Sequence, residues 1–204
     1  MAILHICTLP PVLRKLQAEI DSTLSKHPLP EDQIIPDSLA GRAAGNLPYL
    51  TACLKEATRL YPPIPATQTR TVPPGGDEWE GVKLPGGTDV GFNNWTVMRD
   101  REFWGPDADE FRPERWLPSS KDGGGEYYAS GDGVDEKKLR EMEMCLDIVF
   151  SHGKHRCLGM NIALMELHKA VFEVSCSLFS CLHRTLHDFV CFLFSLLFSG
   201  DCPC

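Results

Sequence analysis

A mainly α-helical fold carrying a small antiparallel β-sheet is what the 204-residue sequence predicts. Three observations lead there. Apolar residues recur at helical spacing over residues 12–26, 48–60 and 160–174. Two short stretches, 67–72 and 88–92, alternate in the manner of strands. Pro73-Pro74-Gly75-Gly76 and Pro85-Gly86-Gly87 bound them as turns.

The N-terminus opens with one apolar run, residues 2–9, ended by Pro10-Pro11. It lacks a basic leader and is too short to span a bilayer. In the first helix Val12, Leu13, Leu16, Ile20 and Leu24 share a side, and Pro28 and Pro30 end it. Residues 31–47 read as loop with a short helix. In the second helix Leu50, Leu54, Ala57 and Leu60 make one face, and Pro62-Pro63 stop it. Residues 103–118, rich in Pro, Trp and Arg, read as ordered but irregular. Residues 119–134, with Gly123-Gly124-Gly125, read as a surface insertion. A short exposed helix is expected over 135–144, then the helix from Met160, with Ile162, Ala163, Met165 and Leu167 among its apolar residues. Beyond Val174, Ser, Cys, Leu and Phe dominate and the balance of the earlier helices is lost. The expected organisation is therefore an atypical start over 1–11, a domain over 12–174 and a dissimilar tail over 175–204.

Composition narrows the function classes. Hydrophobic content of 43% and charged content of 24% are ordinary for a globular chain. A net charge of −8 argues against a nucleic-acid partner. The nine cysteines include no C-x-x-C pair, which argues against a zinc ribbon. Their odd number and irregular placement argue against a secreted disulfide scaffold and for a reducing compartment.

The stretch Phe150-Ser151-His152-Gly153-Lys154-His155-Arg156-Cys157-Leu158-Gly159 carries the chemistry. One cysteine sits in a glycine-flanked loop just ahead of a helix. That arrangement suits a metal-ligating thiolate, because nearby cations and a helix N-terminus stabilise the anion. Lys154, His155 and Arg156 supply cations, while Gly153 and Gly159 allow tight backbone shapes. The competing reading is a structural cysteine buried before a helix. Upstream, Glu56 and Arg59 stand three apart on the second helix, which alone is an ordinary solvated ion pair. Some fifty residues on comes Phe111-Arg112-Pro113-Glu114-Arg115-Trp116.

In order, E-x-x-R, F-x-P-E-R-W and F-x-x-G-x-x-x-C-x-G resemble the cytochrome P450 family over roughly residues 12–174. The phrasing is similar to its microsomal class, and Cys157 to Leu167 is similar to fungal members related to pisatin demethylase. The resemblance implies the C-terminal part of the cytochrome P450 fold. It implies haem b as cofactor, with Cys157 as iron ligand. Phe150, Gly153, His155, Arg156, Leu158, Gly159, Ala163 and Arg70 would be its other contacts. Arg70 would reach a haem propionate, and Phe150 would pack beside haem or thiolate. Amides of Leu158 and Gly159 would tune the sulfur. Glu56, Arg59 and Arg115 would form a buried structural triad. Ile64, Pro65, Ala66, Thr67 and Gln68 would line a pocket for an apolar small molecule.

The implied activity is O2-dependent hydroxylation or demethylation, with electrons from NADPH through NADPH-cytochrome P450 reductase docking near Lys154 and Arg156. The implied location is the cytosolic face of the endoplasmic reticulum membrane, through an N-terminal anchor with no counterpart here. The chain departs from the pattern in three ways. His155 stands where the family usually has arginine. The long helix across the distal haem face is expected to be absent. The residues after Val174 do not resemble the family's terminal strands. These departures leave two alternatives beside the monooxygenase: a non-catalytic fragment, and a helical partner-binding module without haem.

Overall fold

The computed structural model describes residues 1–28, 35–36, 47–118 and 134–176. The expected loop over 31–47, the insertion and nearly all of the tail fall largely outside them. Helix α1 (Ala2–Thr8) precedes α2 (Pro10–Lys26), then α3 (Pro48–Leu60). Strands β1 (Thr67–Thr71), β2 (Asp77–Trp79), β3 (Val82–Leu84) and β4 (Asp89–Asn93) follow, then short helices α4 (Asn94–Val97) and α5 (Arg101–Trp104). After a 3-10 turn at Pro113–Trp116 come α6 (Glu136–Asp147) and α7, residues 160–176.

At the N-terminus the expected helix from Val12 begins two residues earlier, at Pro10. Residues 2–8 are helical, and Ile6 is buried in the core. Pro10 and Pro11 start α2 rather than break the chain, because proline in a first helical turn lacks only an amide that has no partner there anyway. The apolar side of α2, with Leu16 and Ile20, packs on Leu50 and Leu54 of α3. Glu19 does more than solvate that seam. Its two carboxylate oxygens accept from the amides of Tyr49 (2.7 Å) and Leu50 (2.9 Å). Those amides lie in the first turn of α3, whose cap residue Leu47 offers no side-chain acceptor.

Strands β1 and β4 pair antiparallel, with Gln68 opposite Phe92 and Arg70 opposite Val90. The hairpin β2–β3 was not expected. Each strand has three residues, and its signal is the two-residue turn Glu80-Gly81, both at positive φ (48° and 80°). Helix α6 runs three residues further than expected. It is not simply exposed, since Met142 and Leu146 are buried.

Helix α7 seats on this body through Val171 and Phe172, each 2% exposed. Buried His168 joins it to α3 by a 3.2 Å hydrogen bond between Nε2 and Thr51 Oγ1. A cavity of about 30 Å³, roughly one water in size, lies among Thr51, Leu54, Leu146, Phe150, Leu164 and His168. Among the described residues no helix is long and apolar enough to cross a membrane.

Candidate functional site

The loop before α7 is built by an orderly run of backbone bonds. A 3-10 turn, Ile148–Phe150, carries the chain out of α6. Ser151 then takes φ 64°, a left-handed conformation uncommon outside glycine, and Gly153 takes φ 62°. A second 3-10 turn, Gly153–His155, brings the chain round. The amide of Cys157 closes the loop by donating to Phe150 O at 2.8 Å. Gly159 O then accepts from Ala163 N at 2.9 Å, the first turn of α7. Gly159 needs no special conformation, and a Cβ there would meet nothing nearer than Cys157 Sγ at 4.0 Å.

The Cys157 thiol is exposed, so the reading of a buried structural cysteine fails. Lys154, His155 and Arg156 are exposed beside it. Arg156 reaches back to Asp147 at 3.5 Å and to Met160 Sδ at 3.8 Å. Leu158 is 100% exposed and Ile162 is 59% exposed. Together they leave apolar surface exposed on the stretch that follows the thiol. Ala163 is half-buried. Phe150 is partly buried against the core and lines the small cavity.

Strand β1 flanks the loop. Arg70 Nη2 donates to Ser151 Oγ, and its Nη1 donates to Thr69 O at 2.6 Å. Ile64, Pro65, Ala66 and Thr67 are exposed on the chain that leads into β1. No sequence signal marks the reach of Gln68 to the turn ahead of the cysteine loop, where its Nε2 donates to Val149 O at 3.1 Å.

Behind the loop is a fully buried charge cluster. Glu56 and Arg59 are 0% exposed and Arg115 is 2% exposed, so the i, i+3 pair on α3 is not a solvated one. Glu56 Oε1 accepts from Arg59 Nη2 (2.9 Å), Arg115 Nε (2.9 Å) and the Arg112 amide (3.0 Å). Its Oε2 accepts from Arg59 Nε and from Trp116 Nε1, both at 2.9 Å. The remaining N–H groups of Arg59 go to backbone oxygens of Met98 (2.7 Å), Ala108 (2.6 Å) and Glu110 (3.2 Å). One guanidinium thereby fastens three points of the irregular 98–110 segment to α3. Arg115 donates likewise to Trp104 O and Asp107 O, each at 3.0 Å. Burial pushes the Asp107 carboxyl up, but the Arg115 and Arg112 guanidiniums outweigh it and hold it below the usual carboxylate value. The cluster's bonds run between α3 and the 98–116 segment.

Among the described residues no three His, Cys, Asp or Glu side chains gather as a metal site. A metal held by Cys157 must therefore bring most of its own ligands. A flat tetrapyrrole does so, and the exposed Leu158 and Ile162 suit its apolar face. Among the described residues the donor set fits haem and does not fit a zinc site, which needs at least three protein ligands.

The family profile described as Cytochrome P450 matches residues 1–174. Among curated proteins, the chain is 35% identical to Cytochrome P450 monooxygenase ABA1 of Pyricularia oryzae, over 84% of this chain and 30% of that protein. It is 37% identical to Cytochrome P450 monooxygenase cicH of Emericella nidulans, over 82% of this chain and 29% of the relative. It is 34% identical to Cytochrome P450 monooxygenase abl1 of Leptosphaeria maculans, over 91% and 29%. The chain thus spans about 30% of the length of these relatives.

Proposed function

This chain belongs to the cytochrome P450 family, and we propose that it carries the haem-binding part of a monooxygenase acting on an apolar small molecule. The observation that carries the reading is the exposed Cys157 thiol, on a loop closed by its own amide and standing before α7.

When bound, a thiolate-ligated haem supplies activation of O2 for insertion of one oxygen atom into a C–H bond, with two electrons from NADPH delivered by a reductase. The rest falls to the chain. Cys157 Sγ would be the iron ligand, presented from the loop just ahead of α7. Leu158, Ile162 and Ala163 would offer apolar surface to the group and help exclude water from the sulfur. Gly153 lets the loop turn, and the amides after Cys157 at Leu158 and Gly159 would serve as donors to the thiolate. Arg70, His155 and Arg156 would supply the positive charge that the propionates of such a group require. Phe150 holds the loop on the core. Glu56, Arg59 and Arg115 lock the 98–117 segment against α3 so that the scaffold behind the loop stays rigid. Ile64, Pro65, Ala66 and Thr67 contribute apolar surface to the substrate side. Lys154 and Arg156 offer positive charge to the acidic surface of a reductase at the endoplasmic reticulum.

The test is a reduced, carbon-monoxide difference spectrum of the purified chain reconstituted with haem. The expected result is the red-shifted Soret band of thiolate ligation, abolished in Cys157→Ala. Failure of the chain to take up haem would overturn the reading and favour a haem-free helical module.

A further inference from the structure

The 3-10 turn Ile148–Phe150 that follows α6 presents three successive backbone carbonyls, and each is taken by a different donor. Ile148 O accepts from Ser151 N at 2.8 Å. Val149 O accepts from Gln68 Nε2 at 3.1 Å. Phe150 O accepts from Cys157 N at 2.8 Å. The last carbonyls of a helical run have no partner within it, and their capping decides how the chain leaves. Here one cap comes from β1, remote in sequence, and the next is the amide of the cysteine itself.

We infer that Gln68 is a positioning residue for Cys157, an inference that rests on reading Cys157 as the haem ligand. The Gln68 amide fixes the peptide between Val149 and Phe150. That peptide sets the frame from which the Phe150 carbonyl is aimed at Cys157 N. The second N–H of the same amide faces Ile148 O at 3.5 Å, so the side chain spans the turn. Its own position is well held. Gln68 pairs with Phe92 in the sheet, and β4 comes so close at Gly91 that a Cβ there would lie 2.3 Å from Gln68 O. Arg70, two residues on and on the same face of β1, bonds to Ser151 at the start of the loop. Strand β1 is thus a brace with two points of attachment. Of the two, Gln68 is the one facing a buried segment, since Val149 is 4% exposed. Losing its donor strands a carbonyl that water cannot readily reach, and the turn must relax to satisfy it.

The experiment compares amide hydrogen exchange in the full chain for wild type, Gln68→Met and Gln68→Lys. Met keeps the length and loses the donor, whereas Lys restores one. The expected result is exchange of the Cys157 amide about tenfold faster in Gln68→Met, near wild type in Gln68→Lys, and unchanged at Leu54 in α3. An unaltered Cys157 rate in Gln68→Met overturns the inference. Should Gln68→Met fail to fold, the wild type still decides. Its Gln68 side-chain amide must exchange more slowly than that of exposed Asn161, and equal rates overturn the brace. In haem-loaded protein, Gln68→Met should also lower the thiolate-ligated fraction in the carbon-monoxide spectrum. Absence of haem uptake in wild type, with the exchange pattern intact, overturns the haem reading and leaves the brace standing.

Discussion

Arg115 Nε lies 2.9 Å from Glu56 Oε1 across 59 residues of chain, and both side chains are shut off from solvent. This contact joins helix α3 to the 3-10 turn at Pro113–Trp116 and organises the irregular segment between them.

Removing the carboxylate strands two guanidiniums in the interior. Glu56→Gln should cost about 3–5 kcal/mol of stability, read as a fall in the urea midpoint at unchanged slope. Arg140→Ala is the control, because its pair with Glu136 has side chains 73% and 79% exposed. That variant should change stability by less than about 1 kcal/mol. Equal midpoint shifts for the two would refute a structural role for the cluster.

Trp116→Phe keeps an aromatic side chain but removes the indole N–H that bonds Glu56 Oε2, together with the volume of the pyrrole ring. The buried oxygen retains Arg59 as partner, so the expected loss is about 1–3 kcal/mol, smaller than for Glu56→Gln. A Trp116→Phe protein as stable as wild type would assign this bond no net value.

Acid should unfold the chain through Asp107 and Glu114. Burial raises both carboxyls. Arg115 and Arg112 outweigh it at Asp107, as do the Lys15 bond and the Tyr49 hydroxyl at Glu114, so both end lower than in the unfolded chain. The unfolded state then binds more protons in acid. The stabilisation is present above the ordinary values of 3.8 and 4.5 and is lost as pH falls through the lower folded values. Asp107→Asn should flatten part of the acid limb of a midpoint-against-pH curve, and an unchanged limb would contradict the assignment.

Helix α1 should loosen at a milder pH. His5 stacks on Phe111 and Tyr61 at centroid distances of 4.9 and 5.3 Å and meets Tyr61 Oη at 2.9 Å. Burial first, then the positive N-terminus, lowers its pKa from 6.5. The folded state therefore resists protonation. Docking of α1 is at full strength above that value and weakens as pH drops below it. Protection of residues 2–8 against hydrogen exchange, taken relative to the intrinsic rate at each pH, should fall over that range in wild type and lose this dependence in His5→Phe.

Alkylation should separate the cysteines by environment. Cys157 and Cys7 are exposed and should label in the native chain. Cys53 is buried, and burial, with Glu19, Glu114 and Glu56 nearby, pushes its thiol well up. It should label only on unfolding. Peptide mass spectrometry after a short pulse distinguishes them, and native labelling of Cys53 would mean that the α2–α3 core opens. Cys157→Ala should leave the urea midpoint unchanged.

The sequence carried the helices well where one apolar face meets one core. Residues 48–60 read correctly because Leu50, Leu54 and Leu60 repeat at helical spacing and prolines bound both ends. The same rule misjudged Pro10-Pro11, since proline opens a helix as readily as it stops one. It also missed β2–β3, whose exposed residues bury too little to leave an apolar pattern.

By itself the sequence determined the three ordered motifs and the chemistry each residue type can offer: a thiol before a helix, and a carboxylate with two guanidiniums. Those are properties of side chains and local spacing. Tertiary structure alone decided which groups are dry and which meet. Burial turned Glu56 and Arg59 from a commonplace surface pair into the centre of the scaffold, and it left the Cys157 thiol open to a ligand. It also carried Gln68 to Val149, a contact between residues 81 apart. No periodicity encodes such a bond, because a side-chain amide finds a remote carbonyl only when packing brings the strand and the helix end together.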